Sequence, residues 1–134
     1  MFVYETKVKL HETDSAQRLF FANQFKLVHD AFEAFLDSIG FPIDYMINKG
    51  EFILPVVHAE ADYHAPLSVG DKLRLQLNIE HIGRTSITIN CTFFKNQNNI
   101  VGNSKIVMVV LNKANGEKMV FPEEFKNRLL QNKN

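Results

Sequence analysis

Cysteine, tryptophan and an excess of charge are what this sequence lacks. Its 134 residues include one cysteine and no tryptophan, and 15 basic residues balance 15 acidic ones. A single thiol cannot close an internal disulfide, and Cys91 lies in a strand-like segment, which favours a buried thiol over a nucleophile. A net charge of zero argues against a general nucleic-acid-binding protein, because such proteins need a basic excess to displace counterions from phosphates. A local basic spot for one phosphorylated ligand remains compatible with this balance.

Long apolar runs are also absent. No stretch approaches the ~20 apolar residues of a membrane-spanning helix, and residues 1–7 lack the basic and then apolar pattern of a signal peptide. We therefore expect a cytoplasmic protein with no membrane partner. The length fits one domain, residues 1–134. A chain of this size buries roughly 68% of the surface that its unfolded form exposes, so it needs no disulfide or metal for stability.

Apolar periodicity predicts one long helix near the N-terminus. Residues 2–10 alternate between apolar and polar side chains, which indicates a half-buried strand. Residues 23–39 carry apolar side chains at steps of three and four, which predicts an amphipathic helix that ends at Gly40. A short second helix or turn is expected over residues 42–49.

The second half of the chain is typical of strands joined by hairpins. Strands are predicted over residues 52–63, 72–82, 86–94 and 100–112, and a short helix over residues 123–131. The centre of the last strand, residues 106–111, is apolar on both sides, as expected of a strand covered on both faces. One long helix against one antiparallel sheet predicts an α+β domain of two layers.

The segment between the first strand and the long helix carries a candidate catalytic residue. Asp14 lies in a polar loop a few residues before a Phe-rich helix start, where free backbone N–H groups and the positive end of the helix dipole are expected. Such N–H groups polarise a carbonyl oxygen, and a nearby carboxylate can attack the carbon or activate water. By composition alone, however, an Asp before a helix more often caps a turn.

Four polar residues of the strand at 52–63 share one face: His58, Glu60, Asp62 and His64. Two His and two carboxylates could suggest a metal site. Alternate residues of one strand are about 7 Å apart, however, which is awkward for chelating one ion. We therefore favour a solvated or interface face, with no metal, although His58 or Glu60 could line a pocket.

A third segment, Gly83-Arg84-Thr85-Ser86, starts a strand after a tight turn. The planar guanidinium of Arg84 suits phosphate oxygens. In isolation, an Arg in a hairpin turn is a solvated charge.

Together these segments resemble the hotdog-fold acyl-CoA thioesterases of the 4-hydroxybenzoyl-CoA thioesterase type. The signature of that family is a strand, then T-D-x-A-G-x-[VL]-[YF]-[FHY]-A-N, then the helix. Thr13-Asp14, Ala16 and residues 19–23 match it in register. Residues 55–71 resemble its strand ending in Y-x-x-P-L-x-x-G-D, and residues 84–86 match its R-x-S. The resemblance covers roughly residues 3–130.

The resemblance implies a hotdog fold, an antiparallel sheet wrapped around one long central helix, and hydrolysis of an acyl-CoA to a free acid and CoA. Asp14 would be the nucleophile or general base, and the backbone amides of Phe21 and Ala22 would bind the thioester oxygen. CoA would be held at Arg84, Thr85 and Ser86. No cofactor is implied, because CoA is part of the substrate. Subunits would pair edge to edge as a homodimer or homotetramer, which removes an exposed sheet edge.

Two features depart from the common family pattern. Gln17 stands where the signature has Gly, followed by Arg18, and Gln adopts a glycine-like backbone shape only at a cost. Phe21 stands where many relatives have His, which matches the subset acting on aromatic acyl groups and resembling 1,4-dihydroxy-2-naphthoyl-CoA hydrolases. Residues 28–33 are also similar to that subset.

Several alternatives stay open. A hotdog protein could bind an acyl-CoA without turnover, or hydrolyse a medium-chain fatty acyl-CoA. A dehydratase acting on an acyl-carrier protein would need a His near a Pro-rich loop and a helix Glu in a different motif, which the sequence lacks. A ligand-binding β-barrel fits poorly, because the long helix lies near the N-terminus. Nothing in the sequence fixes the acyl group.

Overall fold

A computed structural model describes residues 1–133 as a curved antiparallel sheet packed around a helix. The strands are β1 Phe2–Lys7, β2 Phe52–Ile53, β3 Val56–Tyr63, β4 Lys72–Ile82, β5 Ser86–Lys95, β6 Asn99–Val109 and β7 Leu111–Asn112. The helices are α1 Asn23–Ser38, α2 Ile43–Lys49 and α3 Glu123–Gln131. Five strands form the main sheet in the order β1-β4-β5-β6-β3, and β2 pairs with β7.

Helix α1 lies against the inner face of this sheet, where it packs on β4, β1 and β6. Its apolar stripe is buried, with Leu27, Ala31 and Leu36 fully enclosed. Alternate residues of the strands face it from the sheet side, and these are also buried: Leu73, Leu75, Leu77, Ile79, Ile87, Ile89, Cys91, Phe93, Ile106 and Met108. The predicted α+β architecture, with one long helix against one antiparallel sheet, is therefore confirmed.

One end of the core is closed by aromatic rings around α3. The Phe125 ring is fully buried and lies 4.9 Å from the Phe41 ring and 5.0 Å from the Phe52 ring, between centroids. Gly40 ends the α1 region with φ +88°, a conformation that favours glycine. Arg128 of α3 donates to the Ile39 carbonyl at 2.8 Å, which ties the two helix ends together.

Three predicted strands differ from those observed. The strand predicted over residues 52–63 is divided, because β2 pairs with β7 while β3 joins the main sheet. The first strand ends at Lys7, and Leu10, expected on its buried face, is 77% exposed within a short 3-10 turn over residues 10–12. The last predicted strand, residues 100–112, is divided, because β6 stays in the main sheet while β7 leaves it to pair with β2. Its centre is not covered on both faces either, since Val107 and Val109 remain partly exposed on the outer side.

Strand β3 forms one edge of the main sheet, and its residues are exposed except for the half-buried Ala61. It pairs with β6 so that Ala61 lies opposite Ser104. His64, one residue beyond β3, donates its backbone N–H to the Val101 carbonyl at 2.9 Å. Since backbone groups alternate along an antiparallel strand, the N–H groups of Ala59 and Ala61 point away from β6. This edge therefore presents unpaired donors and acceptors outward.

Among residues 1–133, no helix is long and apolar enough to cross a membrane.

Candidate active site

The loop that carries Asp14 is a closed turn ahead of α1. An isolated bridge joins Thr13 and Leu19, and the Asp14 N–H donates to the Arg18 carbonyl at 2.9 Å. The turn is completed by the Gln17 N–H, which donates to the Asp14 carbonyl at 2.9 Å. Gln17 has φ +62°, in the left-handed region that glycine adopts readily. The glycine-like loop shape is therefore kept, and Gln17 holds it under backbone strain.

We expect Gln17→Gly to raise the free energy of unfolding by about 0.5–1 kcal/mol, because the left-handed conformation costs an ordinary residue roughly 1–2 kcal/mol and glycine's extra chain entropy offsets part of the gain. Chemical denaturation measures the change. Ala16→Gly is the matched control: Ala16 does not have a positive φ, so this variant gains no relief of strain and only loses stability. If Gln17→Gly destabilises the protein as much as the control does, the strain at Gln17 is absent.

Backbone N–H groups of the same turn orient the Asp14 carboxylate. Its Oδ1 accepts the Ala16 N–H at 2.9 Å and the Arg18 N–H at 3.4 Å, and the residue is exposed. Among the hydrogen bonds of residues 1–133, none ends on Oδ2. The turn-capping role favoured by composition is thus present, and it uses one oxygen while the second stays available for chemistry.

Two backbone amides stand free at the start of α1. Within residues 1–133, the Phe21 and Ala22 N–H groups form no hydrogen bond. The neighbouring Phe20 and Asn23 N–H groups, by contrast, donate to backbone carbonyls. Free amides here are the ones that a helix start leaves unsatisfied. They follow Asp14 by one short loop, as the sequence predicts.

Tyr63 fixes the direction of one of these amides. Its hydroxyl donates to the Phe21 carbonyl at 2.8 Å. Because that carbonyl and the Ala22 N–H belong to one planar peptide unit, the contact also orients the Ala22 N–H. Burial raises the pKa of Tyr63, so the hydroxyl remains a protonated donor. The sequence alone indicates no role for Tyr63, although Tyr63 is the Tyr of the strand-end pattern.

Glu12 stabilises the junction between the Asp14 loop and α1, a role that the sequence alone does not indicate. Its carboxylate is fully buried and accepts the Lys9 N–H at 2.8 Å, while Lys26 Nζ lies 3.1 Å from the other oxygen. Its backbone carbonyl accepts the Phe20 N–H at 2.9 Å and the Asn23 side-chain amide at 2.8 Å. Burial opposes ionisation, but the Lys9 N–H and the Lys26 ammonium outweigh it and lower the pKa of Glu12. The start of α1 is thereby held to the 3-10 turn that follows β1.

A cleft of about 350 Å³ opens beside this loop. Its lining includes Arg18, Phe21, Tyr63 and Pro66. The loop and the strand-end segment are joined here, since the Leu19 N–H donates to the Leu67 carbonyl at 2.7 Å. The structure thus brings together two of the three segments that carried the resemblance.

The third segment lies elsewhere in the subunit. Arg84, Thr85 and Ser86 follow the C-terminal end of β4, whereas the Asp14 loop contacts the chain just before the N-terminal end of β4. The eleven residues of β4 span about 30 Å. Arg84 is exposed, and no hydrogen bond or ion pair of its side chain occurs within residues 1–133. One subunit does not unite Asp14 with Arg84.

The remaining candidates for chemistry have plain structural roles. Cys91 is fully buried, and burial raises its pKa to about 12, as expected of a core thiol. His58 and Glu60 lie 3.6 Å apart, and Glu60 also faces Lys105 at 3.9 Å on the outer side of the sheet. Within residues 1–133, no group of three or more His, Cys, Asp or Glu side chains is placed to hold a metal ion.

The chain is similar to known proteins both in sequence and in structure. A family model described as the thioesterase-like superfamily matches residues 8–129. A 1,4-dihydroxy-2-naphthoyl-CoA hydrolase from Synechocystis is 38% identical over 78 residues, which cover 58% of this chain and 56% of that relative's length. The chain thus matches little more than half of that relative.

Two solved structures agree over nearly their whole length. A 1,4-dihydroxy-2-naphthoyl-CoA thioesterase from Synechocystis superimposes with a TM-score of 0.89 at 25% identity, covering 96% of this chain and 95% of the other. A gentisyl-coenzyme A thioesterase superimposes with a TM-score of 0.86 at 26% identity, covering 95% and 98% of the two chains.

Proposed function

This chain belongs to the thioesterase-like superfamily, and we propose that it hydrolyses an aromatic acyl-CoA to the free acid and CoA. The observation that carries the proposal is the pairing of a carboxylate, Asp14, with two free amides, those of Phe21 and Ala22, across one short loop. The relatives named above act on 1,4-dihydroxy-2-naphthoyl-CoA and gentisyl-CoA. The first of these thioesters is the first substrate to test.

The chemistry follows from what these groups can do. The thioester oxygen binds at the Phe21 and Ala22 amides, which stabilise the negative charge that develops on it. Asp14 then either attacks the carbonyl carbon through its free oxygen or removes a proton from an attacking water. In both routes the C–S bond breaks, the CoA thiolate leaves and is protonated, and one water is consumed overall.

The active unit in this proposal is a dimer joined through the β3 edges. Two copies that pair β3 antiparallel form one continuous sheet, and the outward N–H groups of Ala59 and Ala61 gain partners. The two-fold axis is then perpendicular to the sheet, so both α1 helices lie on the same face. A homodimer is the minimum assembly, and a homotetramer would be a pair of such dimers.

This pairing would also bring Asp14 of one subunit towards Arg84 of the other, although the two residues are far apart within one subunit. The Asp14 loop lies at the Tyr63 end of β3, through the contact of Tyr63 with Phe21. Arg84 lies at the opposite end, because Ser86 pairs with Val109 and Val56 pairs with Met108. Antiparallel pairing places the Val56 end of one strand beside the Tyr63 end of the other. The partner's Arg84, Thr85 and Ser86 would thus serve the Asp14 of the first subunit.

We expect Arg84→Ala to raise KM for an acyl-CoA about tenfold and to change kcat little. A charge-assisted hydrogen bond to phosphate contributes about 1.5–3 kcal/mol, and it is equally strong in the ground and transition states. Steady-state kinetics, followed by release of CoA, measures KM and kcat separately. Arg128→Ala is the control, since Arg128 lies on α3 and donates a hydrogen bond to the Ile39 carbonyl. An unchanged KM would make Arg84 a solvated turn residue.

A second candidate function is binding of an acyl-CoA without turnover. The observation that favours it is the engagement of Asp14 Oδ1 by the loop amides of Ala16 and Arg18, which a purely structural Asp would also show. A panel of aromatic and medium-chain acyl-CoAs, followed by free-thiol detection and by calorimetry, separates the two. Binding without thiol release supports the second candidate, and thiol release supports the first.

A further inference from the structure

Helix α1 buries a polar side chain in its otherwise apolar stripe. Of the side chains that α1 buries, all within the described residues 1–133, only that of Gln24 is polar, and this residue is 2% exposed. Burying an amide costs free energy unless hydrogen bonds replace its contacts with water. A Leu or Met at this position would complete the apolar stripe without that cost, so the amide indicates a role beyond packing.

The Gln24 side chain reaches the place where the edge strand β3 pairs with β6. Its Nε2 lies 3.3 Å from the Asp62 carbonyl oxygen of β3 and 3.2 Å from the Asn103 carbonyl oxygen of β6. The hydroxyl of Ser104, which is also buried, lies 2.9 Å from the same nitrogen. Asp62 and Asn103 are opposite each other in the sheet. The side chain therefore ties the start of α1 to one residue pair of the sheet, directly beside Tyr63.

Gly102 allows this close approach. It lies opposite Tyr63 in β6, and a Cβ at this position would come 2.9 Å from Gln24 Oε1 and 3.1 Å from the Asp62 carbonyl oxygen. Glycine weakens the interior of a strand and often marks a site where another group approaches the backbone closely. Strand β6 thus has a glycine at the point where the Gln24 side chain meets the sheet.

The backbone of Gln24 meets the same carbonyl as Tyr63. Its N–H donates to the Phe21 carbonyl at 3.3 Å, and the Tyr63 hydroxyl donates to that oxygen at 2.8 Å. These contacts close a ring, since the Gln24 side chain binds Asp62, and Asp62 directly precedes Tyr63. Because the Phe21 carbonyl and the Ala22 N–H belong to one planar peptide unit, the ring of contacts fixes the direction of the Ala22 N–H.

We propose that Gln24 is a positioning residue: by tying the first turn of α1 to β3, it holds the Ala22 N–H rigid where the thioester oxygen binds. The inference rests on the proposed function and extends it, since Gln24 acts through the peptide between Phe21 and Ala22. Donors that stabilise a developing charge are effective because they are oriented before the reaction begins. Loss of the Gln24 contacts should therefore weaken binding of the transition state more than binding of the substrate.

Gln24→Met removes the amide and keeps nearly the same volume. We expect kcat for 1,4-dihydroxy-2-naphthoyl-CoA to fall about tenfold and KM to change little, because a misplaced donor is missed mainly in the transition state. Leu129→Met is the matched control: it also places Met at a fully buried helix position, but on α3, and should leave kcat unchanged. A native kcat in Gln24→Met would overturn the proposal.

Gln24→Glu tests the hydrogen bonds themselves. Burial favours the neutral form of the introduced carboxyl, which can donate to one of the acceptors that Nε2 now binds. The ionised form can donate to none and faces the carbonyl oxygens of β3 and β6. The other charged or titratable side chains of the adjoining cleft are those of Arg18, Tyr63 and His64, which the variant shares with the native protein.

We expect the ratio of kcat in Gln24→Glu to native kcat, per folded molecule, to fall at least about tenfold as the pH is raised from about 5 to about 9. Circular dichroism at each pH gives the folded fraction, so a loss of stability does not move this ratio. A ratio that is independent of pH would leave Gln24 with a purely structural role.

NMR relaxation of the Ala22 amide nitrogen keeps the inference separate from the proposed function, because it needs no turnover. We expect an order parameter of about 0.85 in the native protein, as in rigid backbone, and a fall towards about 0.6 in Gln24→Met. If this fall is found but the native protein hydrolyses no thioester, the proposed function fails and the positioning of Ala22 stands. If the native protein hydrolyses aromatic thioesters and Ala22 is equally rigid in both proteins, the role of Gln24 is overturned.

Discussion

Asp14→Asn should lower kcat by about 10²–10⁴-fold for the best thioester substrate, the usual cost of losing an acid–base or nucleophilic group. The change removes the negative charge and basicity of the free oxygen while keeping the shape of the side chain. The amide oxygen of Asn can still accept the Ala16 and Arg18 N–H groups that Asp14 Oδ1 now accepts. The loop should therefore stay folded, and KM should change little.

Rapid detection of released CoA measures kcat, and calorimetry with a non-hydrolysable thioether analogue measures binding. Glu117→Gln is the control, since it neutralises an exposed carboxylate in a turn near the C-terminal end of the sheet. Native-like turnover by Asp14→Asn would remove Asp14 from the mechanism. Loss of both binding and turnover would instead point to a structural role for the turn.

Ala61→Pro should convert the proposed β3-paired dimer to a monomer and reduce kcat/KM by at least about 10²-fold, since even small misplacement of catalytic groups has a cost of that size. The Ala61 N–H points away from β6, so proline removes no hydrogen bond within the subunit. Edge positions of this kind tolerate proline in a folded sheet. In the proposed dimer, the same change deletes a hydrogen-bond donor between the two β3 strands and introduces a ring there.

Sedimentation velocity at micromolar concentration measures whether the variant is a monomer. Circular dichroism checks that its fold persists. Ala61→Ser serves as control, as it keeps the N–H and nearly the same size. A native protein that is monomeric yet active would contradict the two-subunit site. A fully active Ala61→Pro dimer would instead show that the Ala61 N–H does not lie at the dimer contact.

The sequence was most informative where structure depends on neighbours in the chain. The bounds of β4 and α3 were predicted to the residue, and α1 within one residue, because apolar periodicity reports directly which face meets the core. The Asp14 turn and the α1 start are likewise local, within ten residues of each other. Assigning Asp14, Phe21 and Ala22 to catalysis remains a prediction, as does assigning Arg84, Thr85 and Ser86 to CoA.

Contacts between distant segments could not be predicted in this way. Tyr63 meets Phe21 across 42 positions of sequence, and this contact depends on how β3 is placed beside α1. Glu12 belongs to the segment that the sequence indicates as a polar loop, yet its carboxylate is buried, where Lys26 and the Lys9 N–H bind it. Leu10 continues the strand alternation in the sequence, yet it is exposed, because the chain leaves the strand and forms a 3-10 turn over residues 10–12.

Labelling of the lone cysteine, Cys91, measures how often the core between α1 and the sheet opens. Its sulfur lies at the centre of β5, between β4 and β6, with no exposed surface and a pKa raised to about 12. A disulfide reagent can react with it only when α1 and the inner face of the sheet separate, so the labelling rate reports the free energy of that opening. The same shielding means that the folded protein adds no thiol signal of its own to an assay that counts released CoA.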